Sequence, residues 1–68
     1  MRISARNTLK GRIVEIVKGA TTSHVRIDIG GAIVTASITN EAVAELKLEA
    51  GKQAYAVIKA SDVMVGID

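Results

Sequence analysis

Two short segments near the ends of the chain each combine a cation with small or hydroxyl-bearing residues. Residues 4–7 read SARN, and residues 59–64 read KASDVM. Small side chains leave backbone N–H groups open to a ligand, hydroxyls donate hydrogen bonds, and Arg or Lys neutralises negative charge. Two such segments in a chain of 68 residues predict a site for a compact oxyanion.

The remaining composition narrows the possible chemistry. The chain has no Cys, which excludes disulfides and thiolate zinc sites, and its single His cannot form a His-rich metal site. His24 belongs to no Ser-His-Asp or Cys-His motif, so we expect a binding protein and not an enzyme. The net charge of +2 favours anionic ligands without marking a nucleic-acid binder.

The length predicts one small domain, which we place at residues 1–68. A domain of this size buries only about 60% of the surface that its unfolded chain exposes. With disulfides excluded, association of several copies is the expected source of further stability. The mean hydropathy of +0.31 also favours apolar surface buried between copies.

Targeting signals are missing from the sequence. No apolar run approaches the roughly 20 residues of a bilayer-spanning helix. The first residues lack the apolar segment of a secretory signal. Together with the absence of Cys, this predicts a cytoplasmic protein with no membrane partner.

The pattern of apolar residues predicts mainly β-structure. Residues 24–29 alternate, which places Val25, Ile27 and Ile29 on an inner face. The pair Gly30-Gly31 predicts a hairpin and not a phosphate loop, since no helix follows it. Alternation or a high content of β-branched residues predicts strands at residues 9–18, 24–29, 32–39, 53–59 and 63–67.

A single helical pattern covers residues 40–46. Thr39 or Asn40 can cap this helix, and Val43 and Leu46 are spaced to pack against the sheet. Three strands, a short helix and two more strands are the order of an OB-type barrel. The sequence therefore predicts an all-β fold, a five-stranded OB-like barrel with one short helix between strands 3 and 4.

These motifs together resemble the molbindins, small cytoplasmic molybdate-binding proteins built from a single Mop domain. The resemblance covers essentially the whole chain and rests on SARN, LKG, IDIGG and KASDVMVG at residues 4–7, 9–11, 27–31 and 59–66. The same module occurs in molybdate-responsive transcription regulators and, as a TOBE domain, in molybdate-transporter ATPases. The resemblance implies barrels that exchange strands between subunits, a hexamer formed as a trimer of dimers, and oxyanions bound at subunit interfaces.

The resemblance also implies which residues contact the oxyanion. Ser4 and Arg6 would bind it from the first motif, and Thr39 would add a hydroxyl. Lys59 and the backbone N–H of Ala60 would complete the shell from the last motif. The full set that we expect at the site is Ser4, Ala5, Arg6, Thr39, Ala42, Lys59, Ala60 and Ser61.

One position of this set departs from some molbindins, which have a Ser where this chain has Ala42. Only the backbone N–H of Ala42, in the first turn of the helix, is left to make that contact. The family also has a second class of site, for which no residues are assigned here.

The implied ligand is molybdate, a tetrahedral dianion that carries no proton at neutral pH and therefore needs only donors. Hydroxyls, cations and N–H groups donate without requiring a proton in return. Phosphate near pH 7 keeps a proton and requires an acceptor, so we expect it to be rejected. Tungstate has nearly the same size and charge and is expected to bind, whereas no cofactor or separate metal ion is expected.

Other interpretations stay open at this point. Arg6 and Lys59 could be ordinary solvated charges, and Thr39 could be only a helix cap. The chain could also act as a molybdate-responsive regulatory module for another protein, instead of storing molybdate. A nucleic-acid-binding OB module is disfavoured, because stacked bases contribute about 1–3 kcal/mol each and Tyr55 is the only aromatic residue. We expect molybdate or tungstate storage or homeostasis, with no nucleic acid as partner.

Overall fold

Four antiparallel strands form one curled sheet in a computed structural model that describes residues 1–68. The strands are β1 (Asn7–Lys18), β2 (Thr22–Asp28), β3 (Ile33–Thr39) and β4 (Gln53–Ile58), with the helix α1 (Asn40–Glu45) between β3 and β4 and a 3-10 turn at Ala60–Asp62. Their order across the sheet is β3-β2-β1-β4. The predicted all-β class and the place of the helix are confirmed.

The long strand β1 bends because it serves two partners in succession. Its residues 7–12 pair with β4, and its residues 12–18 pair with β2. A β-bulge at Val14 adds to the bend. Gly11 permits the close approach of β2, since a Cβ there would lie 2.4 Å from the carbonyl oxygen of Asp28. The sheet therefore curls around β1.

A small aliphatic core lies on the inner face of the curl. Ile13, Val25, Ile27 and Ala56 are at most 5% exposed, and Ile29 packs against them half-buried. The inward orientation predicted for β2 is thus confirmed. Only 5 of the 68 residues are buried, so a single chain hides little of its apolar surface from water.

The predicted Gly30-Gly31 hairpin joins β2 to β3. Both glycines have a φ of +101°, in the left-handed region that favours glycine. Their backbone N–H groups donate to the Oδ1 atom of Asp28 at 2.9 and 3.1 Å. Both hydrogen bonds lower the pKa of Asp28 below its ordinary value of 3.8, and the bond from Gly30 has the larger effect.

The fifth strand predicted at residues 63–67 is not formed. This segment follows the 3-10 turn without pairing to either edge strand, and Met64, Val65 and Ile67 are 93%, 92% and 95% exposed. Its apolar, β-branched sequence suits an extended backbone, but a β-strand also requires backbone hydrogen bonds to a neighbouring strand. The single chain is therefore an open four-stranded curl and not the predicted five-stranded barrel.

The helix α1 begins as predicted and ends one residue earlier. Thr39 caps it, since its side-chain oxygen accepts a hydrogen bond of 3.0 Å from a first-turn N–H. The expected packing of Leu46 is wrong, because Leu46 is 66% exposed. Lys47 has a φ of +53° and turns the chain back, so that Leu48 contacts the core instead. No helix in the structure has the length and apolar character needed to cross a membrane.

Candidate oxyanion site

The two cation-bearing motifs are neighbours at one end of the sheet. Asn7 at the start of β1 pairs with Ile58 at the end of β4, and its side-chain amide donates to the Ile58 carbonyl oxygen at 3.2 Å. Arg6 and Lys59 are the next residues outward on these two paired segments. The pairing of β1 with β4 therefore brings residues 4–6 and 59–61 to the same edge.

Both cations at this end are available to a ligand. Arg6 and Lys59 are exposed, and so are the hydroxyl residues Ser4 and Ser61. The salt bridges of the structure lie elsewhere and join Arg26 to Glu15 and Lys52 to Glu49. Two positive charges without a carboxylate partner create a local field that attracts anions.

The 3-10 turn adds backbone donors beside these cations. Its own hydrogen bonds use the N–H of Asp62, which donates to the Lys59 carbonyl at 2.9 Å, and that of Val63, which donates to Ala60 at 3.2 Å. The N–H groups of Ala60 and Ser61 open the turn and have no partner within it. Ala60, one of the residues expected at the site, therefore offers the backbone donor assigned to it.

Thr39 and Ala42 lie at the opposite end of β1. Thr39 pairs with Thr22 at the start of β2, next to the pairing of β2 with Lys18 at the end of β1. The 12 residues of β1 rise about 3.3 Å each, which separates this end from Arg6. The N–H of Ala42, expected to meet the anion, is already bonded to the Thr39 hydroxyl oxygen. One chain thus places six of the eight expected residues just beyond one end of the β1–β4 ladder and the other two at the far end of β1.

Sequence reasoning missed the polar residues that fix this second end. Ser23 is 2% exposed, and its hydroxyl donates to the Asn40 side chain at 2.5 Å. The signal was present, because Ser23 continues the inward alternation of Val25 and Ile27 and so had to be a buried hydroxyl in need of a partner.

Comparison with known proteins places this geometry in a family. The family model described as TOBE domain matches residues 3–65. The chain belongs to the TOBE family. A probable molybdenum-pterin-binding protein of Haemophilus influenzae is 52% identical to this TOBE chain over 69 residues, which span 100% of both proteins. The resemblance to single-domain Mop proteins drawn from the sequence is confirmed.

Solved structures share the fold of this TOBE chain. A molybdate-binding protein from Sporomusa ovata superposes with a TM-score of 0.93 at 37% identity, over 98% of this chain and 100% of the other. ModG, described as a cytoplasmic molybdate-binding protein and solved with molybdate bound, gives a TM-score of 0.94 at 45% identity. That match covers 100% of this chain and 49% of ModG.

Proposed function

We propose that this TOBE chain is a cytoplasmic protein that binds molybdate, and also tungstate, for molybdenum storage or homeostasis. It acts as a binding protein and not as an enzyme, with residues 1–68 forming one Mop domain and with no cofactor. The observation that carries the proposal is the position of Arg6 and Lys59, two cations without carboxylate partners, each one residue beyond the last pair of the β1–β4 ladder.

The chemistry of this edge suits an unprotonated dianion. Arg6 offers a planar fork of N–H donors, and Lys59 offers a compact positive charge. The hydroxyls of Ser4 and Ser61 and the N–H of Ala60 are further donors. None of the proposed ligands is a carboxylate, so a phosphate that carries a proton meets no acceptor among them.

We propose that the site is completed by a second copy of the chain. Thr39 lies at the far end of β1 from Arg6, so a tetrahedral anion only a few ångströms across cannot touch both along one sheet. The anion would then lie where residues 4–6 and 59–61 of one copy meet Thr39 of another copy. The separation of these predicted ligands supports binding at a subunit interface.

An apolar cleft gives a reason for the copies to associate. It measures about 720 Å³ and is lined by 15 residues, 13 of them hydrophobic, mainly from β2, β3 and β4. Residues 63–67 are exposed and unpaired in the single chain. We propose that this segment is exchanged between copies as the fifth strand, and that the resulting dimers form a hexamer. Burying a Val, Ile or Met side chain contributes about 1.5–3 kcal/mol.

The proposed ligand is the oxyanion and not a pterin, although some relatives are named for molybdenum-pterin. Pockets for ring-shaped ligands are lined mainly by apolar and aromatic side chains. The only aromatic residue, Tyr55, is half-exposed on β4 opposite Lys10. It lines the apolar cleft, which the exchanged segment of a second copy would fill in the proposed assembly.

Isothermal titration calorimetry of the purified protein tests this proposal with molybdate, tungstate, sulfate, phosphate and a free pterin. We expect heat of binding and saturation with molybdate and tungstate, and none with phosphate or the pterin. Sulfate carries no proton either, so its affinity reports how far cavity size alone discriminates. Saturation by phosphate with the affinity of molybdate, or no binding of molybdate at all, would refute the proposed function.

A further inference from the structure

Ser23 is the one buried polar residue of the chain, and it belongs to a hydrogen-bonded cluster around Asn40. The Ser23 hydroxyl donates to Oδ1 of Asn40 at 2.5 Å, and Nδ2 of Asn40 donates to the Gly19 carbonyl oxygen at 3.0 Å. The backbone N–H of Asn40 donates to the Thr21 carbonyl oxygen at 2.9 Å. These three hydrogen bonds, here called the Asn40 clamp, tie the first residue of α1 to the β1–β2 turn.

Little else holds α1 in place. It has six residues, none of them buried, and a helix that short is not stable by itself in water. Among its residues only Val43 packs against the core. The position of the helix start is therefore set by the Asn40 clamp together with the pairing of β3 that ends at Thr39.

Thr39 directly precedes the clamp and caps the helix whose first residue the clamp holds. The side-chain oxygen of Thr39 accepts a hydrogen bond from the Ala42 N–H at 3.0 Å, which leaves its hydroxyl proton to donate outward. Asn40 is fixed to the turn, and Thr39 is fixed in β3 opposite Thr22. Loss of the clamp would free the helix start, and with it the direction of the Thr39 hydroxyl.

We propose that Asn40 is a positioning residue for oxyanion binding, holding the Thr39 hydroxyl where the anion can accept its hydrogen bond without itself touching the anion. This inference rests on the proposed function, in which Thr39 is a ligand. A group that is already ordered loses little conformational freedom when the ligand binds, so the clamp raises affinity without adding a contact.

A double-mutant cycle measured by calorimetry with sodium molybdate on the assembled protein tests this role. Asn40→Ala and Thr39→Val are each expected to weaken binding about tenfold, the contribution of one good hydrogen bond. The double variant should also lose about tenfold in affinity, because Asn40→Ala already misplaces the Thr39 hydroxyl that Thr39→Val removes. In a double variant with Arg6→Ala, in contrast, the two losses in affinity should multiply, since Arg6 is proposed to contact the anion independently of the Thr39 hydroxyl.

Two control variants separate positioning from general loss of stability. Ile13→Val loosens the core at a fully buried position outside the apolar cleft. It should lower the melting temperature while molybdate affinity, measured well below that temperature, stays at the wild-type value. Ser23→Ala removes one bond of the clamp and should weaken binding severalfold, whereas Ser37→Ala, at an exposed position of β3, should not. Without molybdate, exchange of the Ala42 amide hydrogen should be faster in Asn40→Ala than in the wild type, relative to the amides of β1.

The outcomes distinguish this inference from the function on which it rests. Wild-type molybdate affinity in Asn40→Ala would overturn the inference and leave the proposed function standing. Losses that multiply between Asn40→Ala and Thr39→Val would also overturn it, since Asn40 would then act by another route. Failure of the wild-type protein to bind molybdate would refute the proposed function, and the inference with it.

Discussion

Replacing Arg6 by alanine is expected to weaken molybdate binding strongly while leaving the fold of each chain intact. Arg6 is exposed, forms no salt bridge and precedes the first strand, so its side chain contributes no contact to the curl. The whole effect of the substitution should therefore appear in affinity and not in secondary structure.

The expected magnitude follows from the kind of bond that would be lost. A hydrogen bond between a charged donor and an anion contributes about 1.5–3 kcal/mol, which corresponds to a loss of roughly 10- to 150-fold in affinity. Arg6→Lys keeps the charge but loses the planar fork, so its affinity should fall between those of the wild type and Arg6→Ala. This ordering distinguishes a directed contact from simple attraction by net charge.

Calorimetric titration with molybdate at fixed ionic strength measures these affinities, and Arg12→Ala serves as the matched control. Arg12 is also exposed and without a salt bridge, but it lies in the middle of β1, away from the 4–6 and 59–61 edge. Its removal changes the net charge equally and should alter affinity by less than about twofold. Equal affinities of Arg6→Ala and Arg12→Ala would refute the assignment of Arg6 to the site.

Three further predictions concern assembly and stability. Ile67→Asp should shift the protein toward monomers in size-exclusion chromatography with light scattering, because an exchanged fifth strand would carry a charge into the apolar cleft. Ile67 is 95% exposed in the single chain, so the circular dichroism of the monomer should not change. Gly11→Ala should destabilise the fold by about 1–3 kcal/mol in urea unfolding, since its Cβ would clash with the backbone carbonyl oxygen of Asp28. The pKa of Asp28 is lower in the folded chain than its ordinary value of 3.8, so the ionised side chain stabilises the fold at pH values above 3.8. This stabilisation is lost as the pH falls through the folded-state pKa. The melting temperatures of the wild type and Asp28→Asn should therefore differ at pH 7 and converge in strong acid.

Local patterns in the sequence predicted most of the elements. Alternation placed Val25 and Ile27 inward, and the glycine pair predicted the hairpin. The helical pattern predicted a cap at Thr39 or Asn40, and the structure shows it at Thr39. Each of these features depends on backbone preferences or periodicity within a few residues. Nearby sequence alone specifies them, and the structure agrees.

The features that sequence reasoning missed depend on distant partners. Residues 63–67 have a strand-like sequence, but no edge within the chain pairs with them. Leu46 has helical spacing, yet the helix ends at Glu45 and the left-handed Lys47 brings Leu48 to the core while Leu46 stays exposed. In the Asn40 clamp, local alternation marks Ser23 as buried but does not identify its partner Asn40, and the bond from Asn40 to Gly19 joins residues 21 positions apart.

The candidate site was predictable in part. The two motifs were found from residue types, and the pairing of Asn7 with Ile58 brings them to one edge. Their separation from Thr39 could not be read from the sequence, because it depends on which end of β1 each neighbouring strand joins. That separation supports the proposal of an interface site, which the resemblance to molbindins had already implied.

Native mass spectrometry with and without molybdate tests the central claim most directly, because it reports assembly and bound anions in one spectrum. We predict a homo-oligomer, a hexamer in the proposed arrangement, that gains the mass of several molybdates and gains none in matched phosphate. A monomer that binds molybdate by itself would contradict the interface site, and an oligomer that gains no molybdate would contradict the proposed function.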